Sequence, residues 1–518
     1  MSNHTADNKR IAKNTLFLYI RMGVVMIIGL YTTRVILRVL GVEDYGIYNV
    51  VGGFVTMFGV LNTTLTSSIN RFYNFELGKP DNGDITSVYN VAIRIQLLTA
   101  LILLVLIESI GFWYVNTIMV IPHERLVVAN WLFQFSVCSM LIIVLQAPYG
   151  AAVLAHEKMD FFALVSIVDA VLKLLICFLI HYYGEDKLFT YGLLMLGIAV
   201  FNFFMYFFYS RIRFKRLRLK IKSDKELFKS MLSFSGWSIL NPIAYTARGQ
   251  GCNMVLNYFW GPVLNAAYGI ANQIAGAVDQ MSSNFSVSFR PQIIQSYSSG
   301  EYARTKRLMF SMSKILFSLQ AVFTIPIIFE VENLLTLWLG KESTPNYAPS
   351  LVCWILIIKW INCLNPPITN VMSATGYVKR INIYTACVVV CILPISIILL
   401  TCGFSPTSMY KAMLILTLIN QYAGLRILCK TFTEVSMKEY FNNIVVPCLL
   451  LAIASIMLPA LSCYAFNPSF GRVLITCGLS VVSVALSLLF FLNREEKRLV
   501  KSIVLSIMKR LHISKETR

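Results

Sequence analysis

The chain has 518 residues, 57% of them hydrophobic and only 14% charged, with a mean hydropathy of +0.67. Its repeated apolar runs are about 20 residues long, the length that ~30 Å of hydrocarbon requires at ~1.5 Å rise per residue; they exclude a soluble globular protein and define an all-α polytopic membrane protein. The formal net charge of +20, from 45 Lys+Arg against 25 Asp+Glu, would suggest nucleic acid in a soluble chain but here reads as a topology signal.

Fourteen transmembrane helices are predicted, roughly at 15–40, 45–70, 88–112, 124–148, 161–182, 189–210, 228–258, 264–289, 308–329, 347–370, 381–402, 408–430, 442–463 and 470–492. The first is too long for a signal-peptide h-region and no small-residue cleavage site follows it, so it is expected to stay as a span. Connections on the side of the N-terminus hold 30 Lys+Arg, whereas those on the other side hold six: Arg38, Arg125, Lys187, Lys341, Lys411 and Arg472. The positive-inside rule places both termini in the cytoplasm.

The densest basic stretch, Arg211 to Lys222 with Lys225 and Lys229 after it, divides the first six spans from the next six. Its basic residues largely alternate with apolar ones, as expected of a linker lying on anionic headgroups. The predicted organisation is a six-helix lobe (1–210), the basic linker (211–229), a second six-helix lobe (230–432), helices 13 and 14 (433–492) and a basic tail (493–518). In the tail Leu499, Val500, Ile503, Val504, Ile507, Met508 and Leu511 form a stripe at helical spacing, the pattern of an interfacial amphipathic helix.

The lobes repeat each other. Tyr31-Thr32-Thr33-Arg34, then Gly41, then Tyr45-Gly46-Ile47 returns as Tyr245-Thr246-Ala247-Arg248, Gly261 and Tyr268-Gly269-Ile270. Arg71 and Arg290 end spans two and eight, 219 residues apart, and Pro148 and Pro367 end spans four and ten at the same offset. Gly83-Asp84 and Gly300-Glu301 sit 217 apart in matching loops. Six spans per copy is an even number, so the copies are parallel repeats, with helices 13 and 14 outside them.

Nine Lys/Arg fall within spans: Arg21, Arg34, Arg71, Arg94, Lys173, Arg248, Lys314, Lys359 and Arg426. An ionised side chain at membrane depth costs several kcal/mol unless it faces protein or water. Arg71, Arg94, Lys314 and Arg426 lie near cytoplasmic ends, where long side chains snorkel. Arg34 and Arg248, one in each copy of the repeated word, make an anion-handling cavity the first hypothesis, with Arg248 the deeper contact. Lys359 and Lys173 are deep, and Arg21 is about two turns in from the cytoplasm. Asp169 stands four residues before Lys173, on one helix face, so the two are a structural pair or a substrate contact. Asp279, mid-span, is open to pairing with Arg248 or Lys359, or to taking up a proton. Span seven carries Asn241-Pro242 and Gly249-Gln250-Gly251; proline frees a carbonyl and kinks a helix, and irregular backbone at this depth is tolerated only against protein or a water-filled cavity. These four (Asn241, Pro242, Gly249, Gly251) are the predicted hinge.

Several chemistries find no residues to carry them. The chain has no G-x-x-x-x-G-K-[ST] nucleotide loop, no C-x-x-C pair among its twelve cysteines, and only five scattered histidines. Most cysteines lie in apolar runs, where a thiol is a small filler. No cofactor or metal is expected, and the longest external connection, roughly 330–346, leaves little room for a catalytic domain. A membrane-embedded glycan polymerase or ligase is therefore disfavoured, and the protein is expected not to be an enzyme.

Taken together, the 6 + 6 + 2 arrangement, the opening span leading through Arg34…Leu40-Gly41…Tyr45-Gly46-Ile47-Tyr48, and the loop Ala155-His156-Glu157-Lys158-Met159 before Phe161…Asp169…Lys173 resemble the lipid-linked oligosaccharide flippases of bacterial polysaccharide and O-antigen synthesis. These belong to the superfamily that also holds multidrug exporters and the peptidoglycan-precursor flippase. The resemblance implies transfer of an undecaprenyl-pyrophosphate-linked repeat unit across the inner membrane by alternating access, for surface polysaccharide such as lipopolysaccharide. It also implies a cavity whose cations, Arg34, Arg248 and Arg21 by position, meet the pyrophosphate or acidic sugars. Membrane lipids, a coupling H⁺ or Na⁺ and polysaccharide polymerase machinery are the implied partners. The rival within the superfamily is a cation-coupled multidrug exporter, which needs an ionisable carboxylate in its cavity; spans one and seven carry arginine and no acid.

Overall fold

A computed structural model describes residues 2–77, 83–182, 186–214, 217, 224–238, 240–376 and 378–491. The tail at 493–518 and most of the basic linker between 215 and 223 lie outside the described residues. Every regular element among the described residues is helical, as an apolar solvent demands of a chain that must satisfy its own backbone. Among its helices are α1 (Ser2–Met57), α2 (Gly59–Leu77), α3 (Ile85–Leu106), α4 (Leu126–Ala155), α5 (Met159–Tyr182), α6 (Lys187–Arg213), α7 (Leu240–Trp260), α8 (Pro262–Ser298), α9 (Tyr302–Phe329), α10 (Ala348–Asn362), α11 (Asn365–Thr375), α12 (Thr407–Thr431), α13 (Val446–Ala465) and α14 (Phe470–Phe491).

Eleven spans among the described residues are long and apolar enough to cross a membrane. The difference from fourteen has a physical origin. Predicted spans one and two meet within α1, where Gly41 (φ 83, ψ 171), a conformation a side chain would strain, separates two helical segments that follow each other directly, and span two continues past Met57 into α2. Predicted span seven covers a helix at Lys225–Ser238 and then α7, and span eight lies in α8; α7 spends its length on Arg248, Gln250, Asn253 and Asn257 rather than on apolar residues. α7 has Pro242 in its first turn, where a missing N–H costs least, and stays helical past Gly249-Gln250-Gly251.

The chain forms two compact units. The first comprises Met1–Ile270, Trp338–Ala348 and Val389–Met409; the second comprises Ala271–Leu337, Pro349–Val388 and Tyr410–Arg518.

Within the first unit the repeated words acquire a meaning. Gly41 and Gly261 both hold positive φ, 83° and 73°, and reverse the chain between helices. Gly46 lies so close to the start of α8 that a Cβ there would fall 1.9 Å from the Pro262 carbonyl oxygen, and one at Gly269 would fall 2.8 Å from Asn49 Oδ1. The two Tyr-Gly-Ile words are thus the places where α1 and α8 touch backbone to neighbour. Buried asparagines complete the seam. Asn257 Nδ2 donates to Asn265 Oδ1 at 2.8 Å and Asn265 Nδ2 to Asn253 Oδ1 at 2.7 Å, while Asn253 Nδ2 donates to the Asn49 carbonyl at 3.2 Å. Asn257 Oδ1 also accepts from the Val120 amide at 2.9 Å. Side-chain amides with a partner for each polar end are the affordable way to keep polar residues dry. A second tie joins Arg125, whose guanidinium binds Asp44 through two nitrogens and Asp186 at 2.5 Å. Asp186 in turn caps α6, accepting from the Leu188 and Phe189 amides at 3.0 and 3.1 Å.

The second unit is cored by Met309, Met312, Leu316, Phe317, Trp360, Val371 and Leu428, among others. Helices α13 and α14 are stitched by buried hydroxyls, with Ser462 and Thr476 2.8 Å apart and Ser455 3.3 Å from Ser487. One end of the pair is held by Glu330, 1% exposed. Its carboxylate receives Arg472 Nη2 at 3.0 Å, Asn333 Nδ2 at 2.6 Å and Thr476 Oγ1 at 3.0 Å, with Arg472 Nε at 2.8 Å. Burial alone would raise its pKa, but these hydrogen bonds, Arg472 first, outweigh it and hold the carboxyl below its ordinary value. Lys314, expected to reach the headgroups, is instead buried at 5% exposure on α9. The matched prolines also differ: Pro148 sits inside continuous α4, whereas Pro367 lies in the first turn of α11, after a break at Cys363 and Leu364.

Candidate functional site

The first unit encloses a cavity of about 510 Å³, within the roughly 300–1,000 Å³ typical of small-molecule sites. Four helices line it, each with a stripe at helical spacing. α4 presents Leu132, Ser136, Ser139, Ile143 and Gln146; α5 presents Ser166, Asp169 and Lys173; α6 presents Met195, Ala199, Asn202 and Tyr206. From α1 come Arg21, Tyr48 and Gly52.

The charges of the cavity are organised around α5. Lys173 Nζ lies 2.8 Å from Asp169 Oδ2, the contact that i,i+4 spacing allows. The other oxygen, Oδ1, accepts from Asn202 Nδ2 at 2.7 Å. Arg21 rests its guanidinium 4.7 Å above the Phe162 ring, a cation–π placement, and donates from Nη1 to Ser166 Oγ at 3.4 Å. Two buried atoms of this wall, Arg21 Nε and Asn202 Oδ1, have no hydrogen-bond partner among the described residues. Buried polar groups are nearly always paired, so these two mark unspent binding capacity. Two cations against one acid leave the lining with a charge of +1.

Of the predicted site residues, Arg21, Asp169 and Lys173 meet in this one cavity. Arg34 and Arg248 are half-buried in the same unit but do not line it; Arg248 places its guanidinium 5.3 Å over the ring of Tyr245, one turn back on α7. In the second unit Lys359 of α10 pairs with Asp279 of α8, which decides between the two partners the sequence left open for Asp279. Neither member of that pair is dry, with side-chain exposures of 26% and 38%. Of the predicted hinge, Gly251 has a packing reason: a Cβ there would lie 2.7 Å from Leu393 Cδ2. Sequence reasoning missed Ser136, Ser139, Gln146, Ser166 and Asn202. The available signal was polar residues recurring at three- and four-residue steps within otherwise apolar spans.

The described residues form a multi-pass helical membrane protein. The chain matches the inward-closed lipid II flippase MurJ with a TM-score of 0.65 at 14% identity, over 92% of this chain and 99% of that one. An inward-facing multidrug resistance MATE transporter matches with a TM-score of 0.64 at 11% identity, over 80% and 98%. A transporter of the same superfamily from Pyrococcus furiosus, described as having a binding pocket of reverse polarity, matches with a TM-score of 0.56 at 14% identity, over 81% and 96%. The model of the polysaccharide biosynthesis protein family matches residues 11–296, more than half the chain, and the chain belongs to that family. Among curated proteins, the uncharacterized membrane protein EpsK of Bacillus subtilis (strain 168) is 21% identical over 281 residues, 53% of this chain and 54% of EpsK. The chain thus spans about half the length of the curated relative it matches.

Proposed function

We propose that this protein is a flippase that carries an undecaprenyl-pyrophosphate-linked oligosaccharide repeat unit across the bacterial inner membrane by alternating access, for surface polysaccharide synthesis. The single observation that carries the reading is the charge of the first unit's cavity: Arg21 and Lys173 against Asp169 alone. A pyrophosphate or an acidic sugar supplies the oxyanion that such a site is short of, and charge-assisted contacts to it are about twice as strong as neutral ones. Tyr48, Phe135 and Tyr206 offer flat apolar faces, and Ser136, Ser139, Gln146 and Asn202 offer hydroxyls and amides for a polar head group. Arg34 and Arg248 are proposed as further contacts for the pyrophosphate, and the lipid tail stays in the bilayer.

The multidrug-exporter reading is weaker on this evidence. It needs a carboxylate available to a cationic drug, and the mid-span acids Asp169 and Asp279 each hold a lysine. The test is surface glycan in cells carrying R21Q/K173M or R34E/R248E at normal membrane abundance. Loss of surface polysaccharide is expected from both double variants; wild-type levels in both would overturn the proposal. Unchanged glycan together with altered susceptibility to cationic dyes would favour the exporter.

A further inference from the structure

We infer that Asp169 is a resident counter-ion of the first unit's cavity: it holds Lys173 until a substrate anion competes for the ammonium, and so keeps that anion weakly enough bound to be released. The inference rests on the proposed function and deepens it, because it assigns Asp169 a role in release rather than in folding alone.

The geometry separates Asp169 from an ordinary helix-surface pair. Its carboxylate is tethered at both oxygens, by Asn202 at 2.7 Å and by Lys173 at 2.8 Å, so it is aimed along the cavity wall rather than left to rotate. Lys173 is 39% exposed at its side chain and, as an ammonium with three donors, can offer N–H groups to a second anion while Asp169 keeps one. Arg21 is pinned by Ser166 and Phe162 and keeps a buried Nε without a partner. An oxyanion arriving between Arg21 and Lys173 meets donors already in place, and its gain at Lys173 is offset by what Asp169 gives up. Exchange of one charge-assisted bond for another leaves a small net affinity.

That balance is what transport requires. A translocated group must be bound well enough to enter and weakly enough to leave. A cavity holding Arg21 and Lys173 with no acid would carry a charge of +2 on residues that face one cavity, and attraction between charges is stronger beside protein than in bulk water. It would bind an anion tightly and surrender it slowly. Asp169 thus acts as a competitor built into the site, lowering affinity in favour of turnover.

The test uses the full-length protein in lipid nanodiscs, titrated calorimetrically with inorganic pyrophosphate and, separately, with glucuronate, alongside pulse-labelled export of surface polysaccharide in cells. D169N should bind at least one of the two anions roughly tenfold more tightly, about 1.4 kcal/mol, and should export more slowly than wild type. K173M should lose the binding. D169S carries the same expectation as D169N, so poor accumulation of one variant does not leave the matter undecided. Tighter binding of pyrophosphate alone assigns the cavity to the carrier's diphosphate; tighter binding of glucuronate alone assigns it to an acidic sugar. Equal or weaker binding in both Asp169 variants, with binding lost in K173M, overturns the counter-ion role while leaving the anion site standing. Tighter binding with an unchanged export rate overturns it as well, since release would then be insensitive to affinity. Absence of binding by wild type, together with normal export by K173M, overturns both this inference and the function it rests on.

Discussion

An acid–lysine pair in the first unit and one in the second are built differently. Asp169 and Lys173 stand one turn apart on α5, so their contact is set by helix geometry and travels with that helix. Asp279 and Lys359 stand on α8 and α10, 80 residues apart in sequence, so their contact exists only while those helices are packed together. The first pair is suited to exchanging partners with a ligand, because breaking it moves no backbone. The second is suited to holding two helices in register, and breaking it is coupled to their separation. A third pair, Glu330 with Arg472, marks the extreme of the second kind, with Glu330 fully buried and satisfied on every side.

This ordering can be broken by experiment, from the buried pair, through the pair between two helices, to the pair within one helix. Arg472→Met strands a buried carboxylate at the seam between the Tyr302–Phe329 region and the last two helices. It should cost about 3–5 kcal/mol, as for other buried pairs that lose one member, read as a large fall in thermal stability in detergent and in membrane abundance. Replacing both members, as in E330M/R472M, should recover much of that loss.

Asp279→Ala should cost less, about 1–3 kcal/mol, because both side chains are a quarter to two-fifths exposed and partly screened. The exchanged variant D279K/K359D should restore stability if the pair is a tie between helices. Failure of the exchange, with stability unchanged in the single variants, would remove the distinction drawn above.

Asp169→Asn should be mildest for folding, on the order of 0.3–0.5 kcal/mol as for other i,i+4 pairs. Its effect should fall on anion binding and export. A stability loss as large as that of D279A would show that the two pairs are of one kind.

The smallest expected effect is one of pH. The folded-state pKa of Glu330 is depressed, so its contribution is fully present above its unfolded value of about 4.3. That contribution disappears as the pH falls through the lower folded value. Thermal melts of wild type between pH 7 and pH 3 should therefore fall more steeply than those of E330Q, which has no such proton to take up.

The chemistry of α5 was legible because one helical turn brings Asp169 and Lys173 together whatever surrounds them. The partner of Asp279 was not, since Arg248, Lys359 and a proton were all open to it and only packing could choose. Arg34 and Arg248 drew attention as a repeated word. The structure shows that the neighbouring glycines, Gly46 and Gly269, are where that word makes its close approaches, while the cavity took Arg21. Span seven read as a kinked helix from Pro242 and its glycines; one helix ends at Ser238 and α7 starts at Leu240, close to Pro242, while past Gly249 and Gly251 α7 stays helical and its buried asparagines find partners.

What the sequence determined alone is whatever follows from solvent and from local spacing: the membrane class, most of the spans and the acid–lysine pair on one helix. What only the tertiary structure decided is which distant residues meet: Arg21 with Ser166 and Phe162, Asp169 with Asn202, Asp279 with Lys359, and Glu330 with Arg472. The reason is physical. A hydrocarbon solvent and a 3.6-residue turn act on every segment in the same way, whereas a contact between helices depends on how every intervening side chain packs.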